Sequence, residues 1–317
     1  MEQEKIRLQD PLLKSCDEPS DAMQQRRSTQ AITHRGDQTK YPENTMLAFE
    51  AAFEAGSDAI ETDLHLTRDG VVVMSHDATL KRCFGVEKKI IDCDYSYIQT
   101  LRTLKEPHLP LPSLKEVVEY VRDKDIWLLL DIKVDNVADD VMRLTAETIK
   151  SVHDGGAEYW REKIVLGCWT LKFLPLCEKY LPGFPIVHIG FSTTYAREFL
   201  EHTNVGFNLF WPILQTTAGK DLAKEAKDAG RKVYVWTVNE EETMKWAIEN
   251  DSIDGVCTDD PVKFLELTDG YGEIWLDAPR SMQVACYTFV WNWIATVVFI
   301  IYQWRYGKNL AGLGVIS

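Results

Sequence analysis

Four polar clusters lie between positions 34 and 77, each beside an apolar run: His34-Arg35-Gly36, Tyr41-Pro42-Glu43-Asn44-Thr45, Glu61-Thr62-Asp63 and Ser75-His76-Asp77. The residues around them predict a strand at 29–33, a helix at 45–55 and a strand at 58–64. The turn residues Arg68-Asp69-Gly70 predict a third strand at 71–75, antiparallel to the second because the connection is so short. The polar clusters therefore fall at the ends of neighbouring elements.

The second strand carries two carboxylates, Glu61 and Asp63, two positions apart. Side chains in a strand point alternately to opposite faces, so these two project the same way. Two adjacent carboxylates repel each other, and a bound hard cation would explain why they are placed together. The alternative is a salt-bridge cluster in which both carboxylates pair with Arg35 and Lys133.

The composition indicates an intracellular globular protein that does not bind nucleic acid. A net charge of −14 argues against nucleic acid and against adhesion to anionic membranes through a basic surface. The length of 317 residues suits one large domain with appendages. Seven scattered cysteines favour reduced thiols in a cytosolic setting. Residues 1–28 have mixed charge and few large apolar side chains, which predicts a disordered leader rather than a secretory signal.

The rest of the chain alternates strands with helices. Apolar runs predict strands at 127–132, 163–169, 185–189, 205–207, 233–236 and 254–257. Helical spacing predicts helices at 114–122, with Ser113 as N-cap, and at 137–152, 222–229 and 240–249. With the arm at 71–75 set aside, eight strands remain, as an α/β fold of the (β/α)8 TIM-barrel type requires. The polar motifs then lie at the carboxyl ends of strands, where barrel active sites are found.

The polar clusters resemble those of a known enzyme family. The order H-R-G, P-E-N-T, E-T-D, T-R-D-G and H-D is similar to that of the glycerophosphodiester phosphodiesterases. Later segments fit as well: Asp131-Ile132-Lys133, Trp236-Thr237-Val238-Asn239 and Thr258-Asp259-Asp260-Pro261. The resemblance covers roughly residues 29–265 and implies a catalytic barrel at 29–268. It also implies metal-dependent hydrolysis of a phosphodiester.

The resemblance implies how the charged residues act on a phosphate. Glu61, Asp63 and Asp131 would bind one divalent cation, Mg²⁺ or Ca²⁺, that polarises a phosphodiester oxygen. Arg35 and Lys133 would neutralise negative charge that develops on the phosphate. This chain departs from the family pattern at Asp131, where glutamate is usual. The short interval from residue 76 to residue 131 is a second departure, and it implies a reduced inserted subdomain.

Further roles follow from the same resemblance. His34 and His76 would act as general acid and general base, in an order that the sequence leaves open. Glu43 and Trp236 are candidates for the pocket wall, with plain barrel packing as the alternative for Trp236. His65 shares the strand face of the carboxylates but is not part of the pattern, which favours a supporting role.

A long apolar segment follows the barrel. Residues 281–304 contain no Asp, Glu, Lys or Arg, and a helix of that length spans roughly 36 Å, enough for a hydrocarbon core of about 30 Å. We expect a transmembrane or membrane-embedded anchor, followed by a short tail at 305–317. It would hold the catalytic domain on the cytosolic side of an intracellular membrane: mitochondrial, endoplasmic reticulum or lipid droplet. The alternatives are a buried core helix and a re-entrant hairpin that returns through 310–316.

An anchored barrel of this kind is similar to the fungal phosphatidylglycerol phospholipases C. The resemblance implies a phospholipid partner in a membrane, with phosphatidylglycerol cut to diacylglycerol and glycerol 3-phosphate through a cyclic phosphate. Two enzymatic alternatives are a soluble glycerophosphodiester such as glycerophosphocholine, and a lysophospholipid cut in the manner of a phospholipase D. A third possibility is a catalytically inactive, membrane-tethered scaffold, against which the retained histidines and carboxylates speak.

Overall fold

The computed structural model describes residues 29–270 apart from positions 154 and 203. The predicted leader at 1–28 and the predicted membrane segment at 281–304 lie outside these residues. Within them, no helix has the length and apolar character that a membrane crossing needs. The described part of the chain forms nine strands: β1 (Gln30–His34), β2 (Ala59–Leu66), β3 (Val72–Met74), β4 (Trp127–Ile132), β5 (Ile164–Cys168), β6 (Ile186–Gly190), β7 (Val205–Phe210), β8 (Val233–Trp236) and β9 (Gly255–Thr258).

Eight of these strands close into a parallel barrel. The ring runs β1, β9, β8, β7, β6, β5, β4 and β2 and returns to β1, which confirms the predicted eight-stranded barrel. β1 closes the ring because it pairs with β2 on one side and with β9 on the other. In the first of these pairings His34 lies opposite Glu61. Residues from both ends of the domain therefore meet at β1.

The strand β3 lies beside the outer end of β2. It pairs antiparallel with β2 and places Val72 opposite Leu66 and Met74 opposite Leu64. The chain continues from β3 with a hydrogen bond from the amide of Ser75 to the carbonyl of Asp63, at 2.9 Å. This pairing brings the segment that contains His76 back to the carboxyl end of β2.

The interior of the barrel is filled by side chains and is not an open channel. We call this apolar layer the barrel floor; its buried residues are at most 5% exposed and are Ile32, Ala59, Leu129, Val187, Tyr234 and Cys257. In five strands the residue two positions after a floor residue is a polar or aromatic residue of the strand end, on the same face. These five residues are His34, Glu61, Asp131, Trp236 and Asp259. The alternation along each strand thus places a layer of polar and aromatic side chains directly above the apolar barrel floor.

Helices cover the outside of the barrel. They are Met46–Glu54, Lys81–Phe84, Tyr95–Ile98, Leu114–Val121, Ala138–Ser151, Gly156–Trp160, Leu174–Tyr180, Thr193–Leu200, Trp211–Leu214, Thr217–Asp228, Glu241–Ile248 and Pro261–Asp269, with 3₁₀ turns at Ile90–Asp92 and Leu171–Phe173. Their apolar faces pack on the outer faces of the strands in two large buried clusters. The predicted cap at Ser113 is confirmed, because its side chain accepts from the amide of Glu116 and Glu116 accepts from the amide of Ser113.

One helix begins earlier than predicted. The sequence predicts a helix at 222–229, whereas the structure has Thr217–Asp228. The Thr216 side chain caps it by accepting from the amide of Gly219 at 3.0 Å. Gly219 disfavours a helix by intrinsic propensity, but it is buried, and a Cβ there would lie 1.9 Å from the carbonyl oxygen of Ile213. Close packing of two segments therefore requires glycine inside this helix.

Candidate active site

Three buried carboxylates converge at the carboxyl ends of β2 and β4. Glu61, Asp63 and Asp131 each offer an oxygen, and these oxygens all lie within 4.8 Å of one another. The strand register explains the cluster, because Asp63 lies opposite Asp131 and Glu61 projects from the same face of β2. Each of the three residues is at most 4% exposed. The expected convergence of Glu61 with Asp63 is present, and Asp131 joins it.

Two cationic side chains neutralise part of this cluster. The Nζ atom of Lys133 lies 2.6 Å from Oδ1 of Asp63 and 2.6 Å from Oδ2 of Asp131. The Nε atom of Arg35 lies 3.3 Å from Oδ2 of Asp63. Burial by itself would raise the pKa of Asp63, but Lys133 and Arg35 outweigh burial and hold that pKa well below its usual range. The salt bridges of the alternative interpretation are therefore present at Asp63, and Lys133 also pairs with Asp131, which that interpretation did not include.

The third carboxylate is less well compensated. Among residues 29–270, no lysine or arginine side chain approaches the Glu61 carboxylate within 4.0 Å. Burial first, and then the charges of Asp63 and Asp131, raise the pKa of Glu61 well above its usual range. Carboxylate oxygens are the ligands that hard divalent cations prefer. The donor set thus fits a divalent metal ion, held by Glu61, Asp63 and Asp131, whose charge would keep Glu61 ionised.

Each of the two predicted histidines has a carboxylate at its Nδ1 atom. His34 Nδ1 lies 2.6 Å from Oδ1 of Asp259, and His76 Nδ1 lies 2.8 Å from Oδ1 of Asp77. An ionised carboxylate only accepts, so Nδ1 carries the hydrogen in both contacts and Nε2 is left for proton transfer. Nε2 of His34 lies 4.0 Å from Oε2 of Glu61. In both imidazoles, therefore, a carboxylate orients the ring through Nδ1, and Nε2 is the nitrogen that can transfer a proton.

Two pKa shifts favour an ionised Asp259 and a neutral His76. Burial would raise the pKa of Asp259, but hydrogen bonds from His34 and Asn239 outweigh it and leave that pKa lowered. The pKa of His76 is lowered, first by burial and then by the charge of Lys133, which together outweigh the charge of Asp63 and the hydrogen bond to Asp77. At neutral pH the ring of His76 is therefore mostly neutral and can accept a proton.

The loop after β1 has an unusual backbone that brings its polar groups to the carboxylates. Arg35 and Asn44 have positive φ angles of 59° and 54°, which for residues other than glycine costs on the order of 1 kcal/mol or more. Asn44 donates from its side chain to Oδ2 of Asp63 at 2.8 Å and accepts from the Thr62 hydroxyl at 2.7 Å. The amide of Arg35 donates to the Glu61 carbonyl at 2.9 Å and to Oε2 of the Glu61 carboxylate at 3.2 Å. The strain is thus offset by bonds that orient the carboxylates.

The structure explains why glycine follows Arg35. Gly36 has a φ of 81°, and a Cβ at this position would lie 2.7 Å from backbone and side-chain carbons of Ala48. The loop therefore passes in direct contact with helix Met46–Glu54. A larger residue at position 36 would clash with Ala48 of this helix unless the backbone shifted.

Glu43 and Trp236 lie at different sides of the site. The carboxylate of Glu43 accepts from Arg35 at 3.1 Å and from Arg82, so it orients arginines rather than forming a bare wall. The indole of Trp236 donates to the carbonyl of Asn208 at 3.0 Å and is only partly buried.

His65 is buried, and its Nδ1 atom lies 2.7 Å from the carbonyl oxygen of Ser75. This contact supports the segment next to His76.

An aromatic group borders the charged residues at the barrel mouth. It consists of partly buried side chains at the carboxyl ends of β5, β6, β7 and β8: Trp169, Phe191, Phe210 and Trp236. The ring centroids of Trp169 and Trp236 are 5.7 Å apart, and those of Phe210 and Trp236 are 5.3 Å apart. Phe191 lies 6.2 Å from Trp169. We call these four residues the aromatic wall.

Sequence reasoning did not identify several of these residues as part of the site. Trp169 donates from its indole to Oδ1 of Asp131 at 2.6 Å, which fixes the third carboxylate. Asn239 donates to Oδ2 of Asp259 at 2.6 Å. Asn44 and Asp259 stand within quoted motifs but had no assigned role. The available signal was position: Trp169 is the last residue of the predicted strand 163–169, and Asp259 comes two positions after the predicted strand 254–257.

The geometry agrees with comparisons with known proteins. The model of the glycerophosphoryl diester phosphodiesterase family matches residues 34–263. A glycerophosphodiester phosphodiesterase from Caldanaerobacter subterraneus is 29% identical over 252 residues, covering 75% of this chain and 97% of that protein. A lysophospholipase D from Mus musculus is 29% identical over 289 residues, covering 78% of this chain and 88% of that protein.

Solved structures show the same fold. A glycerophosphodiester phosphodiesterase from Thermotoga maritima has a TM-score of 0.61 and 26% identity, and the match covers 75% of this chain and 98% of that chain. A similar structure from Silicibacter pomeroyi has a TM-score of 0.67 and 21% identity, covering 76% of this chain and 93% of that chain.

Proposed function

The chain belongs to the glycerophosphoryl diester phosphodiesterase family and is a phosphoric diester hydrolase, and on this premise we propose that it cleaves phosphatidylglycerol to diacylglycerol and glycerol 3-phosphate. The observation that carries the proposal is the convergence of three buried carboxylates beside His34, whose Nε2 has no hydrogen-bond partner in the described part of the chain and lies 4.0 Å from Oε2 of Glu61. His76 supplies a second imidazole, held through Nδ1, whose Nε2 makes no hydrogen bond to the residues that the structure describes. Such a site can hold a phosphate and move protons next to it.

We assign the chemistry to named side chains. A divalent cation, Mg²⁺ or Ca²⁺, would polarise a phosphoryl oxygen when it is bound by the three carboxylates. Lys133 and Arg35 border those carboxylates and would stabilise negative charge on the other phosphoryl oxygens. One histidine takes the proton from the attacking hydroxyl through Nε2, and the other gives a proton to the leaving alcohol.

The attacking group in this proposal is the free hydroxyl of the glycerol head group, on the carbon next to the phosphoester. Its oxygen forms a bond to phosphorus, the bond from phosphorus to the diacylglycerol oxygen breaks, and a cyclic phosphate is left. Water then opens the ring while His34 and His76 exchange roles, and glycerol phosphate is released. A positioned hydroxyl has an effective molarity of up to about 10⁵–10⁸ M, which favours it over bulk water.

Two features support a lipid substrate. The aromatic wall offers an apolar surface beside the charged residues, which suits a molecule with a phosphate at one end and a glyceride at the other. The uncharged sequence at 281–304 is long enough to enter a bilayer. We propose that this segment holds the enzyme on an intracellular membrane, with the barrel in the cytosol.

A second candidate activity is that of a lysophospholipase D, which is the activity named for the relative from Mus musculus. In that reaction the bond to the head group breaks instead of the bond to the glyceride. The products are then a free head-group alcohol and lysophosphatidic acid. The same charged residues would serve either reaction. The two activities differ in which alcohol leaves phosphorus, the glyceride or the head group.

The test compares phosphatidylglycerol with an analogue that lacks only the head-group hydroxyl next to the phosphoester carbon. The analogue keeps its phosphate and should bind normally, but it should hardly turn over because the attacking group is missing. Phosphatidylcholine and phosphatidylethanolamine lack the same hydroxyl and should be poor substrates. Equal turnover of phosphatidylglycerol and the deoxy analogue, or release of free glycerol with phosphatidic acid, would refute attack by the hydroxyl.

Membrane attachment is tested separately. Removal of residues 281–317 should release the protein from membranes and leave the cooperative melting of the barrel unchanged. If the truncated chain loses its cooperative transition, the apolar segment packs on the barrel and the anchor proposal is wrong.

A further inference from the structure

We infer that Arg82 is a positioning residue that joins the two loops which carry Arg35 and His76. The inference rests on the proposed function, because it assumes that these two residues act on the phosphate. Sequence motifs gave Arg82 no role, and it touches neither of them. It acts through the carboxylate next to each one, Glu43 beside Arg35 and Asp77 beside His76.

The guanidinium of Arg82 binds both carboxylates at once. Its Nε donates to Oδ2 of Asp77 at 2.7 Å, and Nη2 donates to Oδ1 of Asp77 at 3.2 Å. Nη1 donates to Oε2 of Glu43 at 2.6 Å, and Nη2 donates to Oε1 of Glu43 at 2.9 Å. All three donor nitrogens of the planar group are thus used in forked contacts.

Each carboxylate passes this restraint to a residue of the site. Oδ1 of Asp77 accepts from Nδ1 of His76 at 2.8 Å. Oε1 of Glu43 accepts from Nη1 of Arg35 at 3.1 Å. The loop with Glu43 precedes helix Met46–Glu54, whereas Asp77 follows β3, so Arg82 links segments from different elements. The chain of contacts fixes His76 relative to Arg35.

Arg82 itself stands on a well-anchored turn of helix. Helix Lys81–Phe84 is flanked by Leu80 and ends at Phe84, which are 1% and 7% exposed, and Gly85 closes it with a φ of 72°. The buried neighbours hold the backbone of Arg82 in place. Its side chain therefore approaches the two carboxylates from a fixed origin.

Exposed ion pairs usually contribute little to stability, and 47% of the Arg82 side chain is exposed. This case differs because Glu43 is 14% exposed and Arg82 contacts two carboxylates in forked geometry. Ion pairs with ideal geometry or within a network are the ones that have measurable effects. Because half of the Arg82 side chain is exposed, while both of its carboxylate partners contact residues of the site, we expect its loss to affect turnover more than folding.

The test is Arg82→Ala with chemical rescue, on the full chain and with diester substrate. We expect kcat/KM to fall by about 10–100-fold, as is typical when a residue that orients a catalytic group is lost, with most of the change in kcat. Because the site of Arg82 is open to solvent, added guanidinium at low millimolar concentration should restore part of the lost turnover of Arg82→Ala. It should not stimulate the wild type. Arg82→Lys, which keeps the charge but cannot fork, should fall between the two.

Arg68→Ala is the matched control. Arg68 forms a similarly forked pair with Asp94, is 61% exposed and belongs to the turn after β2. Its loss should leave kcat unchanged, and guanidinium should have no effect on it. Melting curves and cation binding should be the same for Arg82→Lys and the wild type, which excludes a folding defect as the cause.

Further variants separate the possible failures. In the Asp77→Asn background, Arg82→Ala should cost less than it does in the wild type, because one of its two contacts acts through Asp77 and only the contact with Glu43 is left to lose. Turnover of Arg82→Ala within twofold of wild type, or a loss that guanidinium does not relieve and that adds fully to that of Asp77→Asn, would overturn the inference. If His76→Ala were also fully active, the proposed function itself would be wrong. An inactive His76→Ala beside a fully active Arg82→Ala would remove only the role of Arg82.

Discussion

Oδ1 of Asp259 lies 2.6 Å from Nδ1 of His34, although 225 positions separate the two residues in the chain. The contact exists because β1 and β9 are neighbours in the ring, with Thr33 opposite Thr258. The carboxylate fixes which nitrogen of His34 carries the hydrogen, and it orients Nε2 towards the buried carboxylates. Asp259, which follows the last strand, thus sets the tautomer and the orientation of His34, which ends the first strand.

Asp259→Asn should therefore lower kcat by about 10²-fold or more, since an amide can stabilise the wrong tautomer of His34. The effect on KM should be small, because the groups that bind the phosphate are unchanged. Steady-state kinetics of the variant, with a melting curve as the folding control, measure this. An unchanged kcat would mean that the contact between Asp259 and His34 has no part in turnover.

His34→Ala and His76→Ala should each reduce turnover by about 10²–10⁴-fold, the usual contribution of a general acid or base. His153→Ala serves as the control. His153 stacks on Tyr159 at a centroid distance of 3.8 Å, away from the strand ends that form the site. Near-normal turnover of His76→Ala would require another proton donor or acceptor.

Removal of divalent metal should abolish activity, and re-addition of Mg²⁺ or Ca²⁺ should restore it. Glu61→Gln should weaken cation binding, measured by titration calorimetry or by the rise in melting temperature on metal addition. The same substitution should raise the melting temperature of the metal-free protein, because a neutral amide replaces a group whose pKa burial and its neighbours raise. Full turnover in excess chelator would contradict the metal assignment.

The stability of the barrel should depend on Asp254 and on pH. Asp254 is 7% exposed and accepts from the amide of Val233 at 2.9 Å and from Lys227 at 2.8 Å. Burial would raise its pKa, but these bonds outweigh burial and lower it. A lowered folded-state pKa gives stability that is complete above the unfolded pKa of about 3.9 and is lost as pH falls through the folded value.

Asp254→Asn should accordingly lower the free energy of unfolding at pH 7 by about 1–3 kcal/mol. The difference from wild type should shrink as the pH is lowered below about 4. Urea denaturation at a series of pH values measures both effects. The control is Asp228→Asn, which removes an exposed pair with Lys224 and should change stability by less than about 0.5 kcal/mol. Equal effects of the two substitutions would contradict the argument.

The sequence predicts the barrel because its strands are buried on both faces and read as continuous apolar runs between turns. The strand 127–132 is predicted with its observed bounds, Trp127–Ile132. Local rules fail where tertiary contacts override them. Helix Thr217–Asp228 is predicted to begin five residues late because Gly219 disfavours a helix, and only its contact with Ile213 explains its presence.

The site follows a similar division. The juxtaposition of Glu61 and Asp63 can be predicted because the period of a strand is a local property. The bond from Trp169 to Asp131 and the fork of Arg82 cannot, because each depends on where a distant loop comes to lie. Asp259 stands between these cases: its place at a strand end is visible in the sequence, but its partner is not.

The closure of the ring by β1 has a consequence for synthesis of the chain. A ribosome makes β1 first and β9 last, so the nascent sheet must keep two unpaired edges until residues 255–258 have emerged. The contact between His34 and Asp259 can form only after almost the whole domain has been translated. Contacts of such long sequence separation form slowly. A message truncated before this point would yield an open sheet prone to aggregation, and no partly active fragment.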